Sequence, residues 1–479
     1  MLFNSGSFLV FFPLVTLLYF WLPHAYRWAL LLAASCVFYM WFVPAYILVL
    51  AITIGIDYWA GRWIEESRTQ AAKRIWLWGS VISTCLVLFV FKYFNFFAVN
   101  MNALSAAIGW NYSISVLEII LPVGLSFHTF QSLSYVIEVY RGAQRAERHF
   151  GIYALYVMYY PQLVAGPIER PQNLLHQFRE RHDLDYGRVA SGLKLMAWGL
   201  FKKVVIADRL AMFVNPVYDQ PADFSGPVLV LATVFFAFQI YCDFSGYSDI
   251  AIGASEVMGI RLMKNFNHPY ASQSIAEFWR RWHISLSTWF RDYVYLPLGG
   301  NRLSRRRWYA NLMITFLVSG LWHGASWNFV IWGGLNGVFL VVSQMTKRWR
   351  EAGARRLGLT AVPRWLGAWR QAVTFALICL TWVFFRAPTF EAAKTVLRGF
   401  FQGWEEWPPL FAQNAAFLAF CGLLLVVLNT VLGAQERGSI RLRLLRQPAY
   451  VRWGVYLSLV AVCLLFRVRQ ATPFIYFQF

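Results

Sequence analysis

The chain has 479 residues, 58% of them apolar and only 14% charged, with a formal net charge of +20. Soluble domains are about 45–50% apolar and about 25% charged, so this composition excludes an ordinary soluble domain, which would expose large apolar patches. The basic residues cluster in loops between apolar runs, the pattern of cytoplasmic loops in a membrane protein, and this excludes a nucleic-acid-binding surface as the first reading of the charge.

Apolar runs approaching the roughly 20 residues needed to cross a bilayer occur along the whole chain. Uninterrupted ones lie near Leu2–Leu22, Trp28–Phe42, Ala45–Ala60, Ile75–Ala98, Gly226–Tyr241, Leu410–Leu432 and Trp453–Phe466. Others carry polar residues, near Leu117–Tyr140, Phe150–Val164, Val189–Val214 and Val373–Phe385. Together they predict an all-α polytopic membrane protein with about eleven spans. The first run lacks a basic leader and a small-residue cleavage site, so it reads as a retained span and not a cleavable signal. Lys347–Arg370 holds seven Lys/Arg against one Glu, and Glu436–Arg452 five Arg against one Glu, whereas Val99–Ile114 carries no charge. Keeping the basic loops cytoplasmic places both termini on the outer side.

Polar residues inside such segments are costly and therefore informative. In chain order, the first is His128, in Gly124–Phe130, a secondary pocket candidate inside a span. Tyr160–Pro167 follows, where two prolines and a glycine predict a bent or re-entrant segment, tolerated at membrane depth only where it is buried in protein or lines a cavity. Asp243 and Asp249 then close the apolar run that begins near Val228. Asp243 is free to orient a histidine or pair with an arginine, while Ser245 or Ser248 would cap a helix starting after Gly246.

Glu277–Val294 comes next. Trp279, Trp282, His283, Leu286, Trp289, Phe290 and Tyr293 share one face of a 3.6-residue period, predicting a single amphipathic helix. His283 takes an apolar-face position that Phe or Leu would fill better, so it is expected to point into the core, towards His323. Arg280, Arg281 and Arg291 lie off that face. Together with Arg302 and Arg305–Arg307 they form a basic surface suited equally to lipid headgroups or to a phosphate-bearing cofactor.

The last segment is Leu312–Thr346, 35 residues without Asp, Glu, Lys or Arg. As one helix it would extend about 50 Å, too long for the hydrocarbon core. Gly320 and Gly324 flank His323, predicting two helical limbs with the histidine at the break and room for a substrate to approach. Ser319 and Trp322 are the neighbouring contact candidates. A lone histidine with neither a carboxylate nucleophile nor a serine elbow beside it suits general-base work, because a neutral imidazole accepts a proton near pH 7. Acyl transfer from a thioester to a hydroxyl needs little more than such a base and a donor to the oxyanion, and no metal. The six cysteines sit in or beside apolar runs without paired spacing and read as small buried hydrophobes, and no histidine pair has metal-ligand spacing.

The stretch Glu277–Ser287, followed by Leu298–Arg302 and Gly320–Gly324, resembles the membrane-bound O-acyltransferase family, MBOAT. The likeness is to its bacterial branch that O-acetylates exported polysaccharides of the alginate type. Tyr160–Arg170, Tyr241–Asp249, Trp382–Arg386 and Phe474–Phe479 resemble the same branch, so the likeness runs over nearly all of residues 1–479, read as a single membrane domain. The resemblance implies a ring of tilted helices around a thin wall pierced by a tunnel, in a bacterial inner membrane. It implies that His323 is the essential histidine and His283 the second characteristic one, with cytoplasmic acetyl-CoA as donor. It also implies a periplasmic or membrane-anchored SGNH-type acetyltransferase as partner. Trp322, Ser319, Asp243, Arg281, Asn301 and Arg302 are carried as substrate-contacting candidates. Two alternatives stay open: another acyl group or acceptor (cellulose, peptidoglycan, teichoic acid, lipid) on the same fold, or a solute transporter, against which the absence of internal repeats argues.

Overall fold

The structure, a computed structural model, describes residues 1–479 apart from 111, 120, 165, 469–473 and 476–479, and all described side chains except those of 406–411. Every regular element among the described residues is helical. The chain forms two compact units, Met1–Met196 with Tyr247–Met263, and Ala197–Gly246 with Lys264–Phe479.

The first unit contains α1 (Gly6–Trp21), α2 (His24–Met40), α3 (Ile47–Glu66), α4 (Gln70–Leu88) and α5 (Phe94–Ala107). Then come α6 (Leu125–Arg141), α7 (Phe150–Met158), the four-residue α8 (Tyr160–Leu163) and α9 (Pro171–Leu174). Helix α10 (Tyr186–Leu200) leads out of it through a π-helical stretch, Phe201–Ala207, to α11 (Asp208–Asp219) and α12 (Gly226–Met258). Side chains on the outer faces are apolar and exposed, Leu17 by 71% and Ile75 by 67%, an arrangement that is stable only where lipid replaces water. Polar side chains turn inward instead. Asp57 on α3 is fully buried and accepts hydrogen bonds from Ser80 Oγ (2.5 Å) and Thr84 Oγ1 (3.2 Å) on α4. His128 on α6 is fully buried, with Nε2 3.4 Å from Thr53 Oγ1. Phe150–Leu163 is bent at Tyr159 between α7 and α8, and from Gly151 onward it is buried. The bend predicted there is present and lies inside protein, where its interrupted backbone is tolerated.

The second unit contains α13 (Ile275–Arg281), α14 (Ile284–Phe290), α15 (Arg305–His323) and α16 (Trp327–Met345). It continues with α17 (Lys347–Arg356), α18 (Pro363–Arg386), α19 (Phe390–Gly399), α20 (Trp407–Glu436), α21 (Ile440–Leu445) and α22 (Ala449–Leu465). By length and hydropathy, six helical stretches of the described residues can cross a membrane: Pro44–Glu66, Gln70–Ala107, Gly226–Met258, Trp327–Met345, Pro363–Arg386 and Ala412–Glu436. Gly6–Trp21 and Ala449–Leu465 are apolar but shorter. The expected eleven is not reached by this measure, because several apolar runs are broken within themselves. Phe150–Val164 is two helices, and Val189–Val214 is interrupted by the π-helical stretch.

Two local expectations are corrected. Helix α12 runs unbroken through Gly246, so Ser245 and Ser248 cap nothing. A Cβ at Gly246 would stand 2.7 Å from Gly199 O, so the glycine serves close helix packing and not a new helix start. Glu277–Val294 is not one helix. It breaks at Trp282–His283, where His283 adopts φ +42°. The middle of the aromatic stripe is nonetheless buried, with Trp282, His283, Leu286, Trp289 and Phe290 facing the interior, while Trp279 and Tyr293 at its ends are half-buried.

Candidate active site

His323 is the last residue of α15, and the chain turns extended at Gly324 before α16 begins at Trp327. The hairpin of two limbs expected from Leu312–Thr346 is therefore present. Its glycines do something other than admit a substrate. A Cβ at Gly320 would lie 2.3 Å from Phe329 O, one at Gly333 2.3 Å from Phe316 O, and one at Gly324 2.1 Å from the Phe329 ring. The glycines bring α16, not a ligand, against α15. That contact holds His323 in an aromatic cage: Trp332 at 4.8 Å, Trp322 at 4.9 Å and Phe385 of α18 at 5.5 Å between ring centroids, with interplanar angles of 80°, 75° and 71°. His323 is 5% exposed, and Ser319, one turn earlier, is also buried. Edge-on aromatic walls exclude water and restrict the imidazole to few orientations.

His283 lies at the other end of the same aromatic wall. From His323 the rings run through Trp332, Trp382 (6.2 Å), Trp282 (5.1 Å) and Phe266 (5.1 Å) to His283 (6.4 Å). Phe244 of α12 meets the His283 ring edge-on at 4.6 Å. The His283 side chain is fully buried, as its apolar-face position predicted. What holds it is polar: Nδ1 lies 3.1 Å from Oδ1 of Asn265, a residue that sequence reasoning passed over.

Asp243 pairs with a lysine, not with the histidine or arginine expected of it. Lys203 Nζ bridges Asp243 Oδ1 (2.6 Å) and Asp208 Oδ1 (2.9 Å), and the backbone N–H of Ile475 donates to Asp243 Oδ2 at 2.7 Å. Lys202 Nζ donates to Ser245 Oγ at 2.9 Å. Both lysines sit in the π-helical stretch, whose wider turn carries the two neighbours into the core. The available signal was the adjacent pair Lys202–Lys203 inside the apolar run Val189–Val214, where a charge is costly unless paired.

The basic candidates divide. Arg281 is held by Glu277 (2.8 Å) and by Glu436 of α20 (2.6 Å). Asn301 and Arg302 are exposed on the turn after Gly299 and Gly300, whose φ values of +103° and +58° suit glycine. Asn311 of α15 fixes that turn by donating to Leu298 O (3.1 Å) and Gly300 O (3.0 Å). Arg305–Arg307 are exposed beside it, at the start of α15. His128 and the bent Tyr160 segment belong to the first unit, while Tyr476–Phe479 lie outside the described residues. Among the described residues no group of three His, Cys, Asp or Glu is placed to hold a metal.

Fold and site together define a multi-pass helical membrane protein with a buried, aromatic-caged histidine, an arrangement suited to acid–base chemistry away from water. The family model described as MBOAT, membrane-bound O-acyltransferase family, matches residues 143–380. The chain is similar to the probable alginate O-acetylase AlgI of Pseudomonas aeruginosa, 42% identical over 405 residues that cover 84% of this chain and 75% of that one. The protein of the same description from Pseudomonas putida is 37% identical over an aligned 504 residues, covering 100% of both. The peptidoglycan O-acetyltransferase of Helicobacter pylori is 37% identical over 433 residues, 83% of this chain and 79% of that one. The chain belongs to the membrane-bound O-acyltransferase family and is an acyltransferase.

Proposed function

We propose that this chain takes an acetyl group from cytoplasmic acetyl-CoA and passes it through a bacterial inner membrane for O-acetylation of an exported, alginate-like polysaccharide. The observation that carries this reading is His323, set at a helix break inside an aromatic cage, in a chain similar over most of its length to alginate O-acetylases. His323 acts as the general base. It takes the proton of an attacking hydroxyl, the hydroxyl oxygen adds to the thioester carbonyl, and the C–S bond breaks to release coenzyme A, whose sulfur recovers the proton. His283, at the far end of the aromatic wall, is the second catalytic residue. Trp322 and Ser319 border the acyl path, while exposed Asn301 and Arg302, with Arg305–Arg307 nearby, meet the phosphates of coenzyme A. A periplasmic or membrane-anchored SGNH-type acetyltransferase completes delivery to the polymer.

The likeness to a peptidoglycan O-acetyltransferase supports a second acceptor, so the test reads both polymers. Acetyl content of exported polysaccharide and of peptidoglycan is measured in cells carrying His323→Ala, with membrane accumulation of the variant confirmed. The expected result is loss of acetyl from the polysaccharide alone, by at least about a hundredfold, the scale of a lost general base. Loss from peptidoglycan instead identifies the other acceptor. Full retention in both polymers removes His323 from the chemistry.

A further inference from the structure

Two non-glycine residues among those described have a left-handed backbone, His268 (φ +46°) and His283 (φ +42°). Such conformations are costly and persist where their surroundings over-determine them. At His283 the surroundings are a short strap, residues 264–267, laid along residues 281–285. Asn267 N–H donates to Arg281 O at 2.9 Å, and Ile284 N–H donates to Asn265 O at 2.8 Å, so the strap grips the chain on both sides of the left-handed residue. Asn265 is 1% exposed, and its side chain adds the decisive contacts. Its Oδ1 accepts from the backbone N–H of Ser285 (3.3 Å) and from Ser285 Oγ (2.9 Å), and lies 3.1 Å from His283 Nδ1; Ser285 Oγ, its proton given to Asn265, stands 3.4 Å from the same Nδ1 as a second acceptor.

These contacts fix more than position. A backbone N–H is always a donor, so the Asn265 atom facing Ser285 N is the carbonyl oxygen and not the amide nitrogen. An oxygen acceptor 3.1 Å from a ring nitrogen requires that nitrogen to carry the proton; the other tautomer would set two lone pairs against each other. Nδ1 therefore carries a proton, and in the neutral ring Nε2 is the acceptor nitrogen.

We infer that Asn265 is the positioning residue of His283, holding it in the Nδ1–H tautomer so that Nε2 is the nitrogen presented to the reaction. The inference rests on the catalytic reading of His283 given above. It assigns Asn265 no contact with substrate.

The test uses full-length protein labelled with 15N-histidine in lipid nanodiscs. The His283 ring signals are assigned by their disappearance in His283→Gln. Wild type is expected to show a protonated Nδ1 and a bare Nε2. Asn265→Leu is expected to lose that signature and at least about tenfold in kcat, with KM for acetyl-CoA unchanged, since a mis-set tautomer harms the chemical step. Asn265→Asp keeps an oxygen acceptor and is expected to restore both the signature and most of kcat, which a merely space-filling role would not do. Ser285→Ala, which removes the longer contact to His283 Nδ1 (3.4 Å) but leaves the Asn265 contact (3.1 Å), is expected to keep the protonated Nδ1 in the spectrum. A wild-type spectrum with protonated Nε2, or an Asn265→Leu spectrum unchanged from wild type, overturns the inference. A fully active His283→Gln enzyme would sink the catalytic reading of His283, and the positioning role with it, while leaving the spectral tautomer intact, so the two failures are distinguishable.

Discussion

The second unit presents two histidines at two helix breaks, and the breaks are built in opposite ways. At His323 the break is made by shape. Gly320, Gly324 and Gly333 let α15 and α16 close on each other, and the imidazole then packs against Trp322, Trp332 and Phe385. At His283 the break is made by hydrogen bonds. A strained left-handed residue is pinned by a strap whose Asn265 carbonyl addresses the ring directly. A buried polar group can thus be oriented either by close aromatic packing or by hydrogen bonds, and the two solutions fail under different substitutions.

The largest expected effect is on the shape-built break. Gly333→Leu drives a side chain into Phe316 O, which already lies 2.3 Å from the position a Cβ would take, so backbone must move. Membrane accumulation of this variant, read by immunoblot, should fall to near background, the outcome expected of severe overpacking. Normal accumulation with normal activity would show that the hairpin does not depend on that approach.

A smaller effect is expected behind the hydrogen-bonded break. Lys203→Met leaves Asp208 and Asp243 buried without their cation, at a cost of about 3–5 kcal/mol. Asp243 precedes Phe244, whose ring backs His283, so thermal unfolding in detergent should shift down and the His283 ring signals should broaden. An unshifted unfolding curve would mean that the buried cluster contributes no net stability.

The smallest effect concerns the basic rim. Arg281 is partly exposed and paired with two carboxylates, so Arg281→Gln should change stability by only about 0–1 kcal/mol and leave KM for acetyl-CoA unchanged. Arg302→Gln, on the exposed turn, should raise that KM severalfold with kcat unchanged. A KM effect at Arg281 instead of Arg302 would move the proposed phosphate contact towards α13 and α20.

Much of this architecture was legible in the sequence. The uncharged stretch Leu312–Thr346 was too long for one span, so its length called for a break and Gly320 and Gly324 placed it at His323, and α15 and α16 have that form. The apolar-face position of His283 likewise foretold its burial. The break at His283 was not legible, because a left-handed histidine leaves the helical period of its neighbours intact and periodicity cannot detect it. Nor was the partner of Asp243, since Lys203 and Ile475 are distant in sequence and only packing brings them to it.

By itself, then, the sequence determined that the chain is an all-helical membrane protein and that His283 and His323 are buried, because hydrophobic partition depends on composition and spacing. Only the tertiary structure decided what touches those histidines. It made the glycines a helix contact instead of a substrate gap, drew Arg281 to Glu436 across the sequence, and set Asn265 against His283. The physical reason is that burial can be read from local pattern, whereas a hydrogen bond or a ring contact requires two distant atoms placed within a few tenths of an ångström, and only the assembled fold places them.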